Sequence, residues 1–120
     1  MYDFLIYNNK NMEMECLEKE QKSDFLKFAY SQIGCDLVEF TSLTPTIDIV
    51  TDEEAMLRSP VDINYIYDIN TERVMFLTGK LLFTGFKDGY TTGLNKEQIE
   101  YIQKNIKIDT IPISIYKALL

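Results

Sequence analysis

The chain predicts an α+β domain built on a mainly antiparallel sheet, with two main helices packed on one face. Three observations carry that expectation. Short apolar or alternating runs recur between turn signals, which is the pattern of strands. Only two stretches show clear helical spacing, and strand runs mixed with two helices fit this class. At 120 residues, 46% of them apolar, the chain can form one core, so residues 1–120 are expected to be a single domain.

Tyr2 to Tyr7 reads as a strand, and Asn8-Asn9-Lys10-Asn11 as a turn. Met12, Met14 and Cys16 then alternate with Glu13 and Glu15, so the opening is a hairpin with one buried and one wet face. Gln21 to Ile33 reads as a helix, with Phe25, Phe28, Ala29 and Ile33 at helical spacing and Gly34 at the C-terminal cap. Asp36 to Leu43 is a strand with Leu37 and Val38 at its buried start. After a turn at Thr44-Pro45, Thr46 to Val50 is another.

Thr51 to Glu54 has capping-box spacing, which predicts a helical turn through Met56, broken by Arg58-Ser59-Pro60. Val61 to Ile69 alternates polar and apolar residues, giving a strand or an extended loop, and Asn70-Thr71 turns the chain. Val74 to Phe86 is the most apolar segment. Gly79 and Gly85 within it mark bulges or bends. Asp88-Gly89 is a tight-turn signal. Asn95 and Gln98 have N-cap spacing, with Leu94 and Ile99 as a hydrophobic staple and Ile99, Ile102 and Ile106 as the apolar face of a helix. The apolar tail, 109–120, is expected to pack as an edge strand, since Pro112 suits no central one, or in a homodimer interface.

Composition narrows the chemistry. The chain has no histidine, the usual general base and commonest metal ligand, so Ser-His, Cys-His and zinc-His arrangements are unavailable. The net charge is −7, from 19 acids and 12 bases, and no window is basic, which argues against direct nucleic-acid binding. An acidic surface suits a basic partner, and it also favours solubility. Neither a signal peptide nor a bilayer-spanning run is visible, so a cytoplasmic protein with reduced, buried Cys16 and Cys35 is expected. No cofactor and no metal are expected.

Candidate partner-binding residues fall in three groups. Asp48, Asp52, Glu53 and Glu54 form an acidic cluster without a calcium-loop register; Asp52 and Glu53 also suit a helix N-terminus. Tyr65 and Tyr67 belong to an aromatic-rich stretch that includes Phe76, Phe83 and Phe86, and would stack on a partner if exposed. Lys87, Asp88 and Tyr90 surround the tight turn. The glycine-spaced run from Gly85 to Gly93 matches neither a P-loop nor a dinucleotide fingerprint, and reads as a hairpin and helix entry.

One longer pattern runs from Ile33-Gly34 through Glu39 to Ile49-Val50-Thr51-Asp52-Glu53-Glu54. It continues through Pro60, Asn64, Gly79 and Gly85 to Thr92-Gly93-Leu94-Asn95-Lys96-Glu97-Gln98-Ile99. This resembles a family of small proteins of phages, plasmids and conjugative elements, known as a domain of unknown function and sometimes found beside antirestriction domains. Here Cys35 and Glu54-Ala55 stand where that pattern carries glycines. The resemblance implies an accessory role on mobile DNA and brings no catalytic residues.

Together these readings give a non-catalytic phage or mobile-element protein. It is expected to inhibit a host defence component, such as a nuclease, stoichiometrically through an acidic face. The second expectation is a small-ligand binder that sequesters a nucleotide messenger between subunits, holding its phosphates with Lys80, Lys87, Arg58, Arg73 or backbone N–H groups. The third is an enzyme of carboxylate or lysine type.

Overall fold

The computed structural model describes residues 2–19 and 24–120. Its first sheet contains β1 (Tyr2–Asn8), β2 (Glu13–Lys19), β3 (Val38–Thr44), β4 (Ile47–Asp52), β7 (Leu81–Lys87) and β8 (Tyr90–Thr92). A second sheet contains β5 (Asp62–Asp68), β6 (Arg73–Leu77) and β9 (Ile106–Pro112). The helices are α1 (Phe25–Ile33), α2 (Lys96–Asn105) and α3 (Ile113–Ala118), and Ala55–Arg58 makes a 3-10 turn. All pairings are antiparallel, in the orders β2-β1-β7-β4-β3, with β8 beside β7, and β6-β5-β9.

Alternation along β1 explains the layering. Phe4 and Ile6 face one way and pack with Ala29 and Ile33 of α1, Val50 and Leu82. Leu5 and Tyr7 face the other way and pack with Ile66 of the second sheet and Ile102 of α2. The α+β class and the antiparallel sheet agree with the sequence. The helices do not share a face: α1 covers one side of the first sheet, and α2 shares the other with the second sheet. The central strands are buried on both sides, so they read as apolar runs rather than as alternating ones.

Several local signals form as expected. Gly34 caps α1 in the left-handed region, at φ 82°. Asn95 and Gln98 exchange both bonds of a capping box, at 2.8 Å each. Asp88 and Gly89 both have positive φ, 52° and 82°, the geometry of a two-residue hairpin turn. The helix expected from Gln21 begins at Phe25 behind an Asp24 cap, and residues 21–23 lie outside the described residues.

Other expectations change. Val74 to Phe86 is not one segment: Gly79, at φ 84°, lets the chain leave β6 in the second sheet and enter β7 in the first. Gly85 lies in β7 where a Cβ would strike the Gly93 carbonyl, so this glycine permits close backbone approach. Thr51 is buried in β4 and caps nothing. Asp52 instead accepts the Glu54 N–H at 2.9 Å. Leu37 is exposed. The tail strand starts at Ile106 and pairs along all of β5, and α3 then folds back so that Tyr116 stacks on Phe76 at 4.9 Å.

The alternation in Asp62–Asp68 runs opposite to a simple amphipathic reading. Asn64, Ile66 and Asp68 point inward and are almost fully buried. They are satisfied there. The Asn64 amide donates to the Gly79 carbonyl at 2.7 Å and accepts from the Thr110 hydroxyl at 2.9 Å, which lies 2.8 Å from the Tyr7 hydroxyl. Asp68 accepts from the Tyr101 hydroxyl at 2.6 Å. Buried polar groups held this way tie the two sheets and α2 together.

Candidate functional site

The sequence-predicted residues occupy separate places. Asp48 is half-buried in β4 beside Ser42 and Thr84, and burial pushes its carboxyl up. Asp52 and Glu54 are brought together, but Arg58 sits against both: its guanidinium bonds the Asp52 carboxylate and lies 3.9 Å from Glu54. Glu53 is exposed, and its backbone N–H donates to the Leu37 carbonyl. This corner supplies its own cation, so its carboxylates are partly neutralised.

Tyr65 and Tyr67 share the outward face of β5, where Tyr65 meets Phe76 edge-on at 5.5 Å. Phe83 is core, and Phe76 lies in the outer aromatic stack. Lys87, Asp88 and Tyr90 sit at the tip of the β7–β8 hairpin, with Tyr90 75% exposed.

Lys87 also borders a cleft of about 730 Å³. The β3–β4 turn forms one wall through Thr44 and Thr46, and the start of α2 forms another through Asn95, Glu97 and Gln98. Its polar groups are largely committed: the Gln98 side chain donates to the Thr46 carbonyl and accepts from Asn95 N–H, both at 2.8 Å, and the Tyr101 hydroxyl goes to Asp68. Of the other cations that could hold phosphate, Arg73 donates to the Ser42 and Leu43 carbonyls at 2.7 and 3.3 Å, and Arg58 is paired. One lysine beside Glu97 does not make a polyphosphate site. Among the described residues, no cluster of three or more metal-ligating side chains forms.

The other acidic surface, with no ion pair recorded among the described side chains, is the β1–β2 hairpin. Asp3, Glu13, Glu15 and Glu18 are all exposed on it. Among the described side chains, the ion pairs recorded are those of Arg58 with Asp52 and Glu54. Asp3 and Glu18 are cross-strand partners, as are Leu5 and Cys16, so both acids share a face with the Cys16 thiol. Partial loss of solvent against β1 first, then the charges of Asp3 and Glu18, push that thiol up. Cys16 was expected inside; it is exposed, because β2 is an edge strand and the second layer stops short of it. Of β2, Leu17 packs on the α1-side core, while Met14 is exposed. The sequence marks Glu13 and Glu15 as a wet face and does not single them out as candidate site residues. Their signal was the density of acids in EMECLEK.

A family model for a domain of unknown function, DUF3846, matches residues 4–107. The chain belongs to this family. The match begins within β1, covers β2, α1 and α2 and stops within β9, so Glu13, Glu15 and Glu18 and the capped α2 entry are parts of the DUF3846 domain, while Asp3 precedes the match and α3 follows it. No curated protein and no solved structure matches the chain. No helix among the described residues is long and apolar enough to cross a membrane.

Proposed function

We propose that this DUF3846 protein is a non-catalytic accessory protein of phage or mobile-element type. It acts in the cytoplasm by binding a basic surface of a host protein and occluding it stoichiometrically. The nucleic-acid channel of a defence nuclease is the kind of surface meant. The observation that carries this reading is the β1–β2 hairpin, where Asp3, Glu13, Glu15 and Glu18 stand exposed with no ion pair recorded among the described side chains. Carboxylates on a projecting edge can stand in for a run of phosphates, and such a surface speeds encounter with a cationic partner. The mobile-DNA setting comes from the sequence resemblance. The absence of histidine supports a binding role over catalysis.

Affinity capture from cells that carry the gene tests the reading. Wild-type bait should retain a host protein with a basic surface at one-to-one stoichiometry. Bait carrying Glu13→Lys, Glu15→Lys and Glu18→Lys should lose it. Equal retention by both baits would refute the proposal.

A second reading is a small-ligand binder using the cleft beside Lys87, favoured only by its volume, which lies in the usual range for ligand sites. Calorimetry with a panel of cyclic and linear nucleotides decides it. Micromolar binding lost in Lys87→Ala would put this reading first.

A further inference from the structure

The two sheets are offset by one strand. The Tyr7–Thr110 hydrogen bond puts β9 under β1, and Arg73 reaching the Ser42 carbonyl puts β6 near β3. The second layer therefore ends below β1, while the first continues to β2. The underside of β2, carrying Met14 and Cys16, overhangs with nothing described beneath it, and both residues are exposed.

The free edge of β9 faces this overhang. The bonds from Ile69 N–H to the Asn105 carbonyl and from Ile113 N–H to the Val61 carbonyl, each 2.9 Å, fix which residues of β9 turn toward β5. These are the odd-numbered ones, so Ile106, Ile108, Thr110 and Pro112 turn their backbone groups outward. The Ile106 N–H is bonded to the Ile102 carbonyl, and proline has none. Ile108 and Thr110 thus present an outward donor and acceptor each.

A second copy of the chain does not fit here. Pairing two β9 edges antiparallel requires a two-fold axis normal to the sheet, which puts both first sheets on the same side. Each β2 would then occupy the place of the other copy's β1. The space accepts one extended strand that brings no second layer of its own.

From this geometry we infer that the shelf between the β9 edge and the β2 underside binds an extended segment of a partner protein as an added strand. The segment pairs with Ile108 and Thr110, places apolar side chains against Met14 and Cys16, and sets a basic residue against Asp3 and Glu18. Charge complementarity selects the basic residue, because the two carboxylates are cross-strand partners on one face and no ion pair to either is recorded among the described side chains. This deepens the acidic-hairpin proposal and shares its residues, but it rests on backbone pairing rather than on charge alone.

The test is selection from a displayed library of random seven-residue peptides, followed by amide hydrogen exchange on the protein with an enriched peptide. Enriched sequences should alternate apolar residues and carry Lys or Arg toward one end. Exchange at Ile108 and Thr110 should slow at least about tenfold. Cys16→Glu, a change at an exposed site, should leave the melting temperature unaltered and weaken binding about tenfold or more. Absence of enrichment over the Cys16→Glu protein, or protection elsewhere, overturns the inference. So does protection of Ile108 and Thr110 in a peptide-free dimer. Salt separates the two proposals. If hairpin-dependent capture is salt-sensitive while both amides stay open, the shelf fails alone. Protection of both amides that persists at high salt, with only the contribution of the Lys or Arg lost, supports the shelf, and if capture of the host protein is then unaffected by salt the acidic reading fails alone.

Discussion

Two acidic regions of this protein differ in what stands beside them. At the Asp52–Glu54 corner, the 3-10 turn brings Arg58 back onto both carboxylates. On the β1–β2 hairpin, Glu13, Glu15 and Glu18 project from an edge strand with no ion pair recorded among the described side chains. Counting acids along the sequence gives the corner more weight, because its acids are consecutive. The folded chain reverses that order. A short turn returns a base to one acidic run, whereas an extended strand holds its charges apart and in water. Acids on an edge strand also keep it from pairing with its own kind.

This contrast can be broken experimentally, beginning with the largest effect. Reversing the three hairpin glutamates to lysine should lower affinity for the captured partner by about 100-fold, as expected for removing several steering charges. A fall confined to Asp52→Asn would move the site to the corner. Next, Arg58→Gln should cost about 0.5–1 kcal/mol in chemical denaturation, the usual range for a half-exposed ion pair, and leave partner affinity within about twofold. The smallest effect concerns Asp48. Burial raises its carboxyl in the folded state, so the folded form prefers it protonated. The stability this group contributes is present at low pH and lost as pH rises through the folded-state value. Asp48→Asn should therefore raise the melting temperature at pH 7, with the gain vanishing near pH 3. An equal gain at both pH values would show that the carboxyl is not penalised by burial.

Legibility in the sequence followed how local the cause was. Gly34, Asp88-Gly89 and the Asn95–Gln98 box act within a few residues, and each formed as read. The α1 side was equally plain, since Phe25, Phe28, Ala29 and Ile33 all meet an aromatic and aliphatic core. The side between the sheets was not. Asn64 and Asp68 look like the wet face of a strand; Gly79 and the Asn70-Thr71 turn supply some of their partners, but the hydroxyls that complete their burial, of Thr110 and Tyr101, come from more than thirty residues away. The break at Gly79 was visible, but the change of sheet it permits was not. The candidate hairpin was recognised as a hairpin, yet its exposure depends on the second layer ending under β1. That offset is a property of two sheets together, and no single segment encodes it.

Salt titration of the complex with the captured host partner tests the central claim most directly. Between about 50 mM and 500 mM salt, affinity should fall at least about tenfold for the wild-type protein, because interactions between exposed charges are screened over this range. The triple-lysine variant should show little further loss. An affinity that holds constant across the titration would contradict an acidic surface as the binding determinant.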